Sequence, residues 1–203
     1  MGRVGDTGRP TPTAEVLRMI DELEGSIAVG PCRCRIAHYS CDHPLETDIV
    51  IRTGVEAWTR AFPKEYRLIG KDEAKRIVSE CQRAGLWQMV FVHCPVNEEN
   101  EYVICNCCEC GCVPYIVNQE LGQRVYPLLH GHFEAGVMAE RCTGHGTCVD
   151  ACPFDVLGMA DGKARLVGTC LGCGRCVDAC PEGAIQMRSR PAESAVTGAG
   201  YRV

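Results

Sequence analysis

Apolar residues in the first third of the chain recur at helical spacing. Val16, Ile20 and Leu23 share a stripe behind Thr11-Pro12, where proline suits the first turn, so a helix is expected to about Gly25. Residues 31–44, bounded by prolines, read as a loop. Ile51, Val55, Trp58 and Phe62 line one face of a second expected helix over 45–62, which Pro63 stops. A third helix is expected over 72–84, with Ala74, Ile77, Val78 and Cys81 as its buried stripe and Gly85 as its end. The pattern then changes: residues 87–94 and 101–106 read as two strands joined by the acidic turn at 95–100. Three helices followed by a hairpin predict an α+β domain over residues 13–130 with the outline of a winged helix, preceded by a flexible N-terminus at 1–12.

Beyond residue 130 periodicity yields to a repeat. Cys142-Thr-Gly-His145-Gly-Thr-Cys148-Val-Asp-Ala-Cys152-Pro153 returns 28 residues later as Cys170-Leu-Gly-Cys173-Gly-Arg-Cys176-Val-Asp-Ala-Cys180-Pro181. The second copy is the C-x2-C-x2-C-x3-C-P run that holds iron–sulfur cubanes; the first has His145 at its second ligand position. Each iron of a cubane takes a thiolate from a different direction. Two-residue gaps let a glycine-containing loop wrap three corners, and the proline turns the chain away after the fourth cysteine. Structural zinc sites usually come as two separated C-x2-C knuckles, which this run is not. Residues 131–188 are therefore expected to form a small iron–sulfur domain, with a tail at 189–203 rich in Gly, Ala and Ser.

The segment from Val137 to Met187 resembles the bacterial two-cluster ferredoxins, down to both Cys-Pro pairs. In that family the fourth cysteine of each run serves the other cluster. The resemblance implies one [4Fe-4S] cluster on Cys170, Cys173, Cys176 and Cys152, and a second on Cys142, Cys148 and Cys180 with His145 at the fourth corner. His145 admits three readings. It ligates iron through a ring nitrogen, which would raise the potential as in Rieske centres; it stands aside and leaves a [3Fe-4S] cluster; or it is a surface residue beside a degraded site.

Seventeen cysteines is far above ordinary usage, and ten of them precede residue 130. Cys32, Cys34 and Cys41 form one group; Cys105, Cys107, Cys108, Cys110 and Cys112 crowd into eight residues. Thiols that close together in a reduced compartment point to metal. The expectation is at least one site joining Cys32, Cys34 and Cys41 to ligands from 105–112, so that this domain adds one or two [4Fe-4S] clusters to the C-terminal pair. Cys81 and Cys94 are read as core residues. This region is also similar to ferredoxin-type proteins of anaerobic bacteria and archaea that carry an upstream cysteine-rich domain. The likeness rests on Pro-Cys-Arg-Cys-Arg (31–35), Cys-Asp-His-Pro-Leu-Glu-Thr (41–47), Ala-Gly-Leu (84–86) and Ile-Cys-Asn-Cys-Cys (104–108). Asp48 and Gly111 stand where such relatives can have cysteine.

Net charge is −5, with 14 basic and 18 acidic side chains before residue 131 and 7 and 8 after it, which gives no encouragement for nucleic acid. Met1 to Pro12 has no apolar h-region and no apolar stretch is long enough for a bilayer, so a cytoplasmic chain without direct membrane insertion is expected. No strand leads through G-x-G-x-x-G into a helix. The reading is an electron-transfer protein with redox-enzyme partners, one subunit of an oxidoreductase complex. Two alternatives stand beside it: a redox-sensing winged-helix regulator using Lys71, Lys75, Arg76 and Arg83, and an enzyme subunit with an open-coordination cluster, for which His130 and His132 are also candidates.

Overall fold

The structure, a computed structural model, describes residues 8–38, 41–96, 99–122 and 128–190. The tail from 191 and most of the expected N-terminal extension lie outside the described residues, as does the side chain of Cys94. The chain opens with β1 (Arg9–Thr11) and α1 (Thr13–Glu22), then runs through β2 (Ile27–Pro31), α2 (Arg33–His38), β3 (Glu46–Ile51), α3 (Thr53–Ala61), β4 (Arg67–Ile69) and α4 (Lys71–Arg83). A long hairpin follows, β5 (Trp87–Val96) and β6 (Glu99–Cys107), and then α5 (Val113–Leu121). The second region comprises β7 (Phe133–Val137), α6 (Thr147–Asp150), β8 (Leu157–Ala160), β9 (Lys163–Leu166), α7 (Arg175–Asp178) and β10 (Ile185–Ser189).

The first six strands form one antiparallel sheet in the order β1-β5-β6-β3-β2-β4. Successive strand residues point to opposite faces. Ile27, Val29, Ile49, Ile51 and Ile104 accordingly meet Val16 and Ile20 of α1 and Ile77, Val78 and Cys81 of α4. Ala28, Val50, Met89 and Val103 turn the other way, toward Val55, Tyr66, Trp87 and the second region. The expected first and third helices are present, and both expected strands lie within the hairpin.

A six-stranded sheet stands where the periodicity predicted three helices and a two-stranded wing. Residues 45–62 account for most of the difference, since they divide into β3 and α3 instead of forming one helix. Ile49, Val50 and Ile51 are all buried. A strand covered on both faces reads as a continuous apolar run instead of alternating, and beside Val55 and Trp58 that run passes for a helical stripe. Arg52, at φ 57°, turns the chain from β3 into α3.

The second region docks on the sheet through aromatic rings. Trp87 stands edge-on to Tyr115 and Phe154, with ring centres 5.3 and 5.7 Å away. The Tyr115 hydroxyl donates to the Pro153 carbonyl at 2.8 Å, and Arg175 pairs with Glu109 at 2.6 Å. The loop at His130-Gly131-His132 seals the joint: the Gly131 amide bonds the Leu171 carbonyl at 2.9 Å, and Arg9 donates to the His130 carbonyl at 2.8 Å.

Candidate metal centres

The C-terminal repeat folds twice in the same way. Gly146 (φ 85°) and Gly174 (φ 82°) hold left-handed backbone just before the single-turn helices α6 and α7, a conformation open to glycine at little cost. Gly172 (φ 92°) does so again, and any side chain there would run into the Phe133 carbonyl. These turns present the cysteines inward. Cys170, Cys173 and Cys176 line one cavity, and Cys152 from the first copy joins them. Ala135, Leu157, Leu166 and Leu171 complete its apolar wall. Burial pushes the Cys173 thiol up to about 12 and raises that of Cys176. Thiols this reluctant to ionise become thiolates when a metal binds them, so four cysteines around one apolar cradle fit a cubane.

Cys142, Cys148 and Cys180 form the mirrored group, packed in a core with Ala164, Ala184 and Ile185. Burial raises the Cys148 thiol, and the nearby Cys180 and Cys142 raise it further. The Ala164 amide donates to Cys142 Sγ at 3.4 Å and the Ala184 amide to Cys180 Sγ at 3.3 Å. His145 is exposed. Its Nδ1 accepts the Thr147 amide at 3.2 Å and lies 2.9 Å from Thr147 Oγ1, whose proton goes to the Ala179 carbonyl. With Nδ1 engaged, Nε2 is the ring atom left for a metal.

The N-terminal cysteines fall into two groups, and the sheet explains the division. Cys105 and Cys107 on β6 point with Val103 into the core shared with the second region, whereas Cys108 turns to the core under α1 and α4. Cys112 at the start of α5 returns to the first side. There the thiols form a chain of neighbours: Cys32 interacts with Cys34, Cys34 with Cys112, and Cys112 with Cys107. The hydrogen bond from Cys112 draws the Cys107 thiol down, but burial pushes it up to about 11. Cys105 sits beside this chain and donates to Asp48 Oδ1 at 3.4 Å, while Asp48 Oδ2 accepts the Tyr66 hydroxyl at 2.6 Å. Burial and then the Asp48 charge push Cys105 well above the ordinary thiol range.

The other group is Cys41, Cys108 and Cys110, whose sulfurs all lie within 4.8 Å of one another. Cys41 therefore separates from Cys32 and Cys34, its neighbours in the sequence spacing. Between the groups lies Arg35, 3 % exposed. It donates to the Asn106 carbonyl at 2.9 Å, to Cys108 Sγ at 3.7 Å and to the Thr47 hydroxyl. Burial opposes its charge, yet the nearby Cys32 and Cys108 thiols raise its pKa. The spacing of cysteines carries no sign of Arg35; the signal is an arginine flanking two clustered thiols, in a chain whose arginines otherwise sit mostly at the surface. His130 and His132 stay in the joining loop, and Cys81 is buried on the α4 stripe.

A small domain of paired glycine turns, single-turn helices and inward cysteines is a ferredoxin-type iron–sulfur domain. Residues 141–185 match the family described as 4Fe-4S dicluster domain, so this part of the chain is a ferredoxin-type domain for 4Fe-4S cluster binding. No curated protein and no solved structure matches the chain. No helix among the described residues is long and apolar enough to cross a membrane.

Proposed function

We propose that the chain is an electron-transfer protein, a ferredoxin-like subunit passing single electrons between redox enzymes within a cytoplasmic oxidoreductase assembly. The observation that carries this reading is the C-terminal cavity in which Cys152 of one repeat meets Cys170, Cys173 and Cys176 of the other. We assign those four to one cluster, and Cys142, Cys148 and Cys180 to a second whose fourth corner is His145 or open. Cys32, Cys34, Cys107 and Cys112 are assigned to a third. When bound, such clusters supply one-electron chemistry at potentials set by ligands, hydrogen bonds and burial.

The chain's own residues do the rest. Apolar walls keep water from the sulfurs, and the Ala164 and Ala184 amides aim positive dipoles at Cys142 and Cys180. Such bonds favour the more negative, reduced state and so raise the potential. Cys107, Cys112 and Cys173 share one core with Trp87, Tyr115 and Phe154, so packed rings, not solvent, lie between the N-terminal four-thiol group and the C-terminal cavity. Two of the four cations of α4 are engaged by acids, Lys75 with Asp21 at 2.6 Å and Arg76 with Glu80 at 3.0 Å, while Lys71 and Arg83 donate to the backbone carbonyls of Asp21 and Ser79. That favours an electron carrier over a regulator reading DNA through this helix.

Iron, sulfide and EPR on protein purified without oxygen, before and after dithionite, test the assignment. Iron for at least two clusters with signals that change on reduction is the expected outcome. Iron-free, folded protein would overturn it. A three-iron signal in the oxidised sample would mean that His145 leaves its corner open.

A further inference from the structure

We infer that Cys41, Cys108 and Cys110 form a mononuclear site for a borderline-soft divalent cation, zinc above all, distinct from the iron–sulfur centres. The first argument is distance. Cys41 Sγ and Cys108 Sγ lie 3.7 Å apart, and the three sulfurs fit within 4.8 Å. Thiolates bound to one zinc at about 2.3 Å stand about 3.8 Å apart at the tetrahedral angle. Thiolates on a cubane each take a different iron and are held farther apart. The sulfurs of this trio are spaced to share one ion.

The second argument is charge. Three thiolates around one divalent cation leave one negative charge, and the buried Arg35 guanidinium beside Cys108 balances it. Arg35 Nε is buried without a hydrogen-bond partner among the described residues. A buried cation is stabilised by an anionic partner, and Cys108 as a metal-bound thiolate supplies one within reach of the guanidinium. The third is separation: Cys41 and Cys108 pack toward the α1 and α4 side, while Cys107 and Cys112 pack on the other.

Cys110 is exposed, so the fourth position opens toward solvent. Three protein ligands and one open position are the arrangement of a zinc that exchanges its fourth ligand. Gly111 offers a way to close it. A Cβ built there would lie 3.4 Å from Cys41 Sγ and 3.5 Å from Cys108 Sγ, and its backbone is not left-handed. Gly111→Cys therefore adds a fourth thiol beside the trio, with Arg35 Cγ, 3.0 Å away, giving slightly.

The test uses the full chain, purified without oxygen and supplied with zinc, with metal counted by mass spectrometry and zinc ligation read by X-ray absorption at the zinc edge, where iron does not interfere. The expected result is about one zinc per chain with three sulfurs at about 2.3 Å and one lighter atom. Cys110→Ser, an exposed position that leaves the fold intact, should drop zinc retention against a chelator at least tenfold while iron and sulfide stay constant. Gly111→Cys should raise the sulfur count to four. Zinc absent from the wild type, zinc unaffected by Cys110→Ser, or iron lost with Cys110→Ser would each overturn the proposal; the last would make the trio part of an iron–sulfur centre.

Discussion

The two cysteine-rich regions solve the same problem in opposite ways. In the C-terminal repeat, the thiols of one run are separated by two or three residues on glycine turns, and the fourth cysteine crosses between copies, as Cys152 does to join Cys170, Cys173 and Cys176. In the N-terminal domain, thiols from 32–41 and 105–112 meet because β2, β3 and β6 are neighbours in one sheet, and strand alternation decides which thiol joins which group. The lesson is that local geometry writes ligand sets into spacing, whereas a sheet hides them in register. Cys107 and Cys108, adjacent in sequence, pack into different cores.

The largest expected effects remove a centre. Cys173→Ala should cost about four irons per chain and the visible absorption that goes with them, leaving the N-terminal centres intact; unchanged iron would break the C-terminal half of the comparison. Replacing neighbours in the N-terminal run sharpens the other half. Cys107→Ser should lose iron, and Cys108→Ser should lose zinc while keeping its iron. Identical metal losses from both variants would mean that the sheet does not divide the run.

Smaller effects probe how the halves are joined. Trp87 is 1 % exposed and contacts both Tyr115 and Phe154. Trp87→Ala should destabilise the chain by about 3–5 kcal/mol in oxygen-free denaturant titration, since it opens a large cavity at the joint. A loss under about 1 kcal/mol would mean that the two regions fold without leaning on each other. The weakest effect is on pH. Burial, with Arg190 and Arg9 nearby, lowers the His130 pKa below its ordinary value near 6.5. Folding thus favours neutral His130: its contribution is full above about pH 6.5 and fades as pH falls toward the folded pKa. His130→Gln should flatten that acid limb slightly, and an unchanged limb would assign it to other groups.

Much of the molecule is legible in its amino-acid order. The duplicated run identifies the iron–sulfur domain because its spacing serves one kind of chemistry, and α1, α4 and the hairpin follow from clean periodicity. The six-stranded sheet is not legible. Ile49-Val50-Ile51 is buried on both faces and loses the alternation that would mark a strand, and β1 and β4 are only three residues long. The pairing of N-terminal thiols is equally hidden, because it depends on which face of β6 each residue takes. Arg35 is the residue that spacing could not reveal: its role comes from burial between two thiol groups.

The most direct test of the central claim is iron and acid-labile sulfide per folded chain in wild type and Cys107→Ser, measured side by side without oxygen. Three iron–sulfur centres require about eleven or twelve irons in the wild type, depending on the His145 corner, and about four fewer in the variant. Eight or fewer irons, unchanged by Cys107→Ser, would contradict the account by confining the clusters to the C-terminal repeat.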